Sequence, residues 1–413
     1  MNDFNNKLQK YAEVALKVGL NIQQGQNLVI NAPIPATDFV RVVAKKAYEL
    51  GVKNVHVEWA DEEMTLIKLL HAPQEALKEF PMWKAKGYEE MAKEGTAFLS
   101  ISAANPDLLK EAHPDRVATM NKTSATAMEN FKRYIQNASV NWNIVSVPTK
   151  EWAKKVFPHH DEKESVEKLW ENIFKVTRID QPDPVKAWQD HLQQLKIRLD
   201  LLNNKKFKKL HFKAPGTDLT MALPEGHIWV GGGLKTEKGF EFVPNMPTEE
   251  VFSMPLKEGV DGVVSSTKPL NYGGNLIEDF TLTFKKGRII DFTAEKGYET
   301  LKKLIETDEG AHYLGEVALV PHRSPVSDTD VIFFNTLFDE NASNHFALGS
   351  AYPICIEEGT KMSKDELQKN GVNTSLVHVD FMIGSAEMDI DGETPDGRME
   401  PIFRKGNWYN IED

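Results

Sequence analysis

An α/β N-terminal domain with a largely parallel sheet, followed by an α+β C-terminal domain with a mixed sheet, is the fold class that the sequence predicts. Three observations carry it. The chain has 413 residues, more than one ordinary core organises, so two domains are the starting expectation. Its first half alternates short apolar, β-branched runs with amphipathic stretches, the order that builds a parallel sheet flanked by helices. From Leu210 to Thr293 it becomes rich in Gly, Thr and β-branched residues in short alternating runs.

The elements follow in order. NLVINAP (Asn27 to Pro33) reads as a buried strand, and Thr37 to Leu50 as an amphipathic helix closed by Gly51. NVHVEWA (Asn54 to Ala60), TAFLSIS (Thr96 to Ser102) and VNWNIVSVP (Val140 to Pro148) read as further strands with helical segments between them. A helix is expected after Asp161 and another after Asp183, where Asp-Pro suits an N-cap followed by Pro at the first helical position. NNKKFKK (Asn203 to Lys209) reads as a solvated connector rather than a nucleic-acid patch, and the boundary between domains 1–205 and 206–413 is placed there. Beyond it, DLTMAL reads as a strand, and KKG in FTLTFKKGRIIDF as a hairpin turn.

Composition narrows the function classes. Hydrophobic residues at 41% and charged residues at 27% are ordinary for a soluble globular chain. A formal net charge of −12 argues against nucleic acid as the main partner. No apolar run approaches the length of a membrane span. The opening MNDFNNKLQKYAEVALKVG lacks a basic stretch followed by an unbroken apolar one, so it does not read as a signal peptide. The single cysteine, Cys355, fits a reducing compartment and reads as a small core residue. A cytoplasmic location is the expectation.

The α/β half offers no cofactor loop. NAPIPATDF lacks G-x-G-x-x-G, and the glycines of VGGGLKTEKGF (Val230 to Phe240) are not at P-loop spacing and read as a hairpin. His56, His159 and His160 lie in that half, but HHDE before a helical run reads as a helix start.

Acids and imidazoles gather in four segments of the second half. PNMPTEEVFSMP holds Glu249 and Glu250, HYLGEVALVP holds Glu316, FDENASNHFALGSAYP holds His345 and Tyr352, and LVHVDFMIG holds His378 and Asp380. Each has an ordinary explanation. Thr248 could cap a helix with both acids in its first turn, His345 could be a hydrogen-bonded loop residue, Tyr352 a half-buried aromatic, and His378 with Asp380 a simple pair. Glu316 is harder to dismiss, since a lone buried carboxylate is expensive unless paired or metal-bound. Taken together, imidazoles and acids in apolar settings point to divalent metal, with two imidazoles and three acids suiting a pair of ions bridged by one carboxylate. On a strand, His378 and Asp380 share one face while Val377, Val379 and Phe381 take the other. Spacing alone does not bring the four segments together.

These segments, in this order, resemble the aminopeptidase T / aminopeptidase S family of metallo-aminopeptidases. GTDLTMAL and the early NLVIN…KNVHVEWAD pattern fit as well, so the resemblance spans almost the whole chain. It implies a hydrolase that removes N-terminal residues from peptides with two divalent ions, Zn, Co or Mn. It places the metal ligands on Glu250, Glu316, His345, His378 and Asp380, and the active-site tyrosine on Tyr352. Ser253 stands where threonine is the commoner residue. The family is homodimeric, one subunit's N-terminal domain helping to enclose the other's site. On this reading Glu316 bridges, a water shared by the cations ionises near neutral pH, and Tyr352 donates to the developing oxyanion. Glu249 is a candidate for binding the α-amine or for general base, or a plain surface or supporting acid. A dinuclear phosphatase or amidohydrolase and a non-enzymatic α/β binding protein are the rival readings.

Overall fold

Leu28, Val29 and Ile30 are all buried, as a strand covered on both faces requires. A computed structural model of the chain, which describes residues 3–103, 105–273 and 275–409, places them at the centre of β1 (Asn27–Pro33). β1 pairs in parallel with β2 (Asn54–Ala60) on one side and β3 (Ala97–Ser102) on the other. β4 (Trp142–Ser146) continues the sheet in parallel, giving the order β2-β1-β3-β4. The helix Thr37–Glu49 buries Phe39, Val40, Val43 and Ala47 at helical spacing, which accounts for its place between the first two strands. Asp161 accepts the Glu164 N–H at 2.8 Å and Asp183 the Lys186 N–H at 3.0 Å, so both expected helix starts are side-chain caps.

The expected connector is shorter than its composition implies. The helix Pro184–Lys205 runs through Asn203 and Asn204, and the next strand starts at Lys209. Asn203 is not a solvated turn residue: its amide donates to the Trp229 carbonyl at 2.9 Å and its oxygen accepts the Trp229 N–H at 2.9 Å. That paired bond holds the last helical turn against the chain that follows.

The second region is α+β, and every strand pairing in its two large sheets is antiparallel. The expected hairpin forms from Asn275–Lys285 and Arg288–Lys296. Its two turn residues, Lys286 and Gly287, both have positive φ (48° and 77°), which matches the twist of the flanking strands. A Cβ on Gly287 would lie 1.7 Å from the Lys257 carbonyl oxygen, so only glycine fits. The glycine-rich run is a hairpin too, Leu234–Lys235 against Glu241–Phe242. This pair forms a small sheet of its own.

Chain contacts separate two units that are not simple halves. One contains Met1–His113, Thr126–Gln193 and Gly232–Thr248; the other contains Pro114–Ala125, Gln194–Gly231 and Glu249–Asp413. Residues 232–248 join the α/β unit because their main chain bonds to its edge. Ile144 donates to the Pro244 carbonyl at 2.7 Å, and Met246 and Val243 donate to the carbonyls of Ile144 and Gly19. Among the described residues no helix is long and apolar enough to cross a membrane.

A five-stranded sheet carries the site. In spatial order it runs β9 (His378–Met382), β8 (His345–Gly349), β7 (Leu314–Leu319), β6 (Val251–Ser253) and β5 (Val230–Gly231). One face packs Val251, Val317, Leu319, Phe346, Leu348 and Phe381 into the main core, with Val377 and Val379 half-buried against it. Each fully buried side chain there contributes roughly 1.5–3 kcal/mol. The other face is left for chemistry. Cys355 is buried in a smaller cluster with Met254 and Leu367, and burial pushes its thiol well above the ordinary range, so it is a core residue.

Candidate metal centre

Register explains why the acids and imidazoles meet. Ala318 lies opposite His345, Glu316 opposite Ala347, Ala347 opposite Asp380, and Gly349 opposite His378. Directly opposed residues project from the same face, so Glu316, His345, His378 and Asp380 all stand away from the core. Glu250 joins them from the residue just before β6. Thr248, Glu249 and Glu250 form no helix, which overturns the capping explanation for this triplet. The β-ladder decides it: Val251 and Phe252 pair with β7 on one side and β5 on the other.

The five residues form two trios that share one member. Glu250, Glu316 and His345 can place one donor atom each within 4.8 Å of one another, and so can Glu316, His378 and Asp380. The Glu316 oxygens divide between them, Oε1 lying 3.6 Å from His345 Nε2 and Oε2 lying 3.4 Å from His378 Nε2. Glu250 Oε2 is 3.0 Å from His345 Nε2, and Asp380 Oδ1 is 3.4 Å from His378 Nε2. Among the described residues these are the only such clusters. His56 is largely exposed on β2, and His160 pairs with Glu164 at a helix start.

Both rings are held for coordination. His345 Nδ1 lies 3.1 Å from the Ser343 carbonyl and His378 Nδ1 lies 2.7 Å from the Ser350 carbonyl. Each Nδ1–H donates to main chain, which leaves the Nε2 lone pair facing the acids. Glu250 Oε2 and Asp380 Oδ1 are buried and, among the described residues, face no polar partner other than the imidazoles. Buried carboxylate oxygens grouped with imidazole nitrogens fit a divalent cation.

The electrostatics say the same. Burial pushes Glu250 upward despite the imidazole of His345 beside it. Burial would pull both histidines down, but Glu250 and Glu316 hold His345 well above the ordinary imidazole range, and Asp380 and Glu316 do so for His378. Burial would raise Asp380, yet His378 brings it below the usual carboxylate range. In the absence of metal, the crowded acids are offset by protons held on Glu250 and on both imidazoles.

Sequence reasoning missed Glu340. It is buried, and burial together with Asp380 and Glu250 drives it well above the ordinary range, so it belongs to the same charge cluster. Its neighbours tie the cluster together. Asp339 accepts the main-chain N–H groups of Phe333 (2.9 Å) and Asn335 (3.1 Å), and the Asn341 side chain accepts that of Glu249 at 2.7 Å. The only signal was an acid pair close before His345, which a helix end facing water would also produce. Glu249 itself is buried, at 5% exposure, and so is not a surface acid.

Tyr352 lies against His378. Its ring meets the His378 ring edge-on at 4.7 Å, and burial pushes its phenol up, so it stays protonated.

Gly315 has a positional role. The β7–β8 register shifts between Leu314 and Glu316, and a Cβ on Gly315 would lie 2.4 Å from the carbonyl oxygens of both Gly349 and Ser350. The Ser350 carbonyl is the one that orients His378. Gly315→Ala is therefore expected to lower metal affinity and activity together, by about 10–100-fold as for other losses of a ligand's support. Metal titration and initial rates on the purified variant check this, and unchanged values would show that the carbonyl tolerates the methyl.

Donor atoms of this type on one sheet face suit a divalent metal ion, and comparison with known proteins gives the class of protein. The family model described as thermophilic metalloprotease (M29) matches residues 4–408. Aminopeptidase 2 of Geobacillus stearothermophilus is 57% identical over 408 residues, covering 99% of both chains. Aminopeptidase AmpS of Bacillus subtilis is 55% identical, over 99% of this chain and 100% of its own. The solved structure of wild-type AmpT from Thermus thermophilus matches with a TM-score of 0.91 at 44% identity, over 98% of this chain and 99% of that one. The chain is a metallo-aminopeptidase. It belongs to the thermophilic metalloprotease family, M29.

Proposed function

We propose that this chain hydrolyses the first peptide bond of peptides with a free N-terminus, at a centre of two divalent ions bridged by Glu316. One observation carries this reading: Glu316 is shared by two donor trios, with one oxygen directed to each. Charge supports a cation site. Glu250, Glu316, Glu340 and Asp380 crowd together, and without metal burial and mutual repulsion hold Glu250 and Glu340 above the ordinary carboxylate range. Glu250, Glu316 and His345 would hold one ion, and Glu316, His378 and Asp380 the other. Zn, Co and Mn all suit imidazole and carboxylate donors. Bound there, such ions would supply Lewis acidity toward the scissile carbonyl and lower the pKa of the attacking water.

The remaining work belongs to the chain. The Ser343 and Ser350 carbonyls orient the two rings. Tyr352 donates a hydrogen bond to the oxygen that gains charge, a contribution usually worth about 3–4 kcal/mol. Tyr352→Phe is accordingly expected to lower kcat by about 10²–10³ with KM and metal content little changed. A variant with full kcat would remove Tyr352 from the reaction. A free α-amine would bind a metal ion or a nearby carboxylate, which restricts the reaction to N-termini, and Glu249 is a candidate for that role or for general base.

Assembly as a homodimer through the α/β unit is part of the proposal. Trp59 on edge strand β2 is exposed, and Met64, Ile67 and Leu70 are exposed at three-residue spacing along the helix Glu62–His71. Lys84 Nζ bonds Glu58 of β2 at 2.6 Å, which brings Met82 and Trp83, also exposed, toward the same strand. An apolar strip of this kind on a sheet edge suits burial against another copy. The buried lone cysteine supports a reducing, cytoplasmic setting.

Leucine p-nitroanilide against p-nitrophenyl phosphate, each with added cobalt or zinc, tests the reaction class. Amide cleavage without phosphatase activity is expected, and the reverse result overturns the proposal.

A further inference from the structure

We propose that the apolar cluster beside the metal centre receives the side chain of the peptide's first residue, with Phe252 as the specificity-determining wall. The preferred first residues are then apolar ones of leucine or methionine size. This rests on the aminopeptidase reading above and adds to it which substrates the site selects.

Register puts Phe252 on the chemical face of the sheet. Val230 lies opposite Phe252, Phe252 opposite Ala318, and Ala318 opposite His345, so these four form one row across β5, β6, β7 and β8. Its neighbours in β6, Val251 and Ser253, are fully buried, whereas Phe252 is only half-buried. Phe252 is also two residues from Glu250 along a strand, the spacing that returns a side chain to the same face.

Aromatic contacts lead from it to the centre. The Phe252 ring meets the Tyr352 ring edge-on at 5.9 Å, and Tyr352 meets His378 at 4.7 Å. The centre is open on that side: the His378 and Asp380 side chains are 19% and 15% exposed, while His345 is 1% exposed. Ile354 and Met362, also half-buried, pack with Phe252 and Tyr352 against the cluster that contains Met254 and Cys355.

Chemistry then selects the occupant. A peptide whose first carbonyl lies at the ions carries its first side chain one bond away, on the Cα, and must lay it beside the open edge. There it meets the rings of Phe252 and Tyr352 and the side chains of Ile354 and Met362. An apolar side chain gains by covering them, and a carboxylate in the same place would lose its water without a partner. One methylene more or less in such a pocket changes kcat/KM by about 10–200-fold.

The test compares leucine, alanine and glutamate p-nitroanilides on the metal-loaded full chain, for wild type, Phe252→Ala and Phe252→Trp. Wild type is expected to favour leucine over alanine and to cleave glutamate least. Phe252→Ala is expected to lower the leucine-to-alanine ratio of kcat/KM by about 10–100-fold. Phe252→Trp, which keeps an aromatic in place should the smaller residue misfold, is expected to narrow the pocket and lower the same ratio. Unchanged ratios in both variants overturn the assignment, as does equal loss of both substrates or a wild-type preference for glutamate. Wild type that cleaves none of the three overturns the aminopeptidase reading itself, a distinguishable failure.

Discussion

Glu316→Gln is expected to reduce turnover by more than about a thousandfold while leaving the fold in place. An amide offers one oxygen and no negative charge, whereas Glu316 directs one oxygen to each trio. Losing the shared carboxylate removes a donor from both ion sites at once, and several kcal/mol of transition-state stabilisation depend on them. Metal content should fall in parallel. Stability should also fall once metal is removed. Without cations Glu316 lies beside both imidazoles, 3.6 Å from His345 Nε2 and 3.4 Å from His378 Nε2, and helps to hold both above the ordinary imidazole range. Metal-free Glu316→Gln should therefore unfold at a lower temperature than metal-free wild type. Rates, elemental analysis and thermal unfolding on the two proteins check all three statements. A fully active Glu316→Gln enzyme would end the bridging role.

Removing metal from wild type is expected to abolish activity and to make stability fall as pH rises. Glu250 and Glu340 are raised above the ordinary carboxylate range by burial, and His345 and His378 lie above the ordinary imidazole range. In the metal-free state the folded chain therefore holds protons that the unfolded chain releases. Stability from such groups is fully present at low pH and is lost as pH climbs through their folded values. The loss starts above the ordinary carboxylate range and continues above the ordinary imidazole range; Asp380, shifted downward, changes stability only at pH below that window. With metal bound, the cations replace those protons and the dependence should flatten. Ions held far more tightly than their free concentration requires add on the order of 3–4 kcal/mol. Thermal unfolding across pH, with and without chelator, gives the comparison. Identical profiles would mean that the acids do not share a cation site.

Local chemistry makes much of this architecture legible in the amino-acid sequence. The four parallel strands are each a short apolar run bounded by turn residues, and Asp161 and Asp183 mark helix starts because capping is local. Glu316 stands out as an acid inside an apolar run, and the alternation around His378 and Asp380 sorts ligand face from core face. The remainder depends on contacts distant in sequence. Residues 232–248 join the α/β unit through main-chain bonds that leave no compositional trace. Asn203 looks solvated in sequence because its partner, Trp229, lies in a different segment. Glu340 stays hidden because an acid closing a short helix looks alike whether it faces water or a metal. Gly315 lies beside Glu316 in LGEVALVP, but its constraint comes from carbonyls on a neighbouring strand.

The most direct measurement counts ions. Chelated, metal-free chain titrated with zinc or cobalt should bind two equivalents, with peptidase activity returning as they bind, and Glu316→Gln should bind fewer. A single equivalent restoring full activity, or unchanged activity after complete removal of metal, would contradict a two-ion centre joined by Glu316.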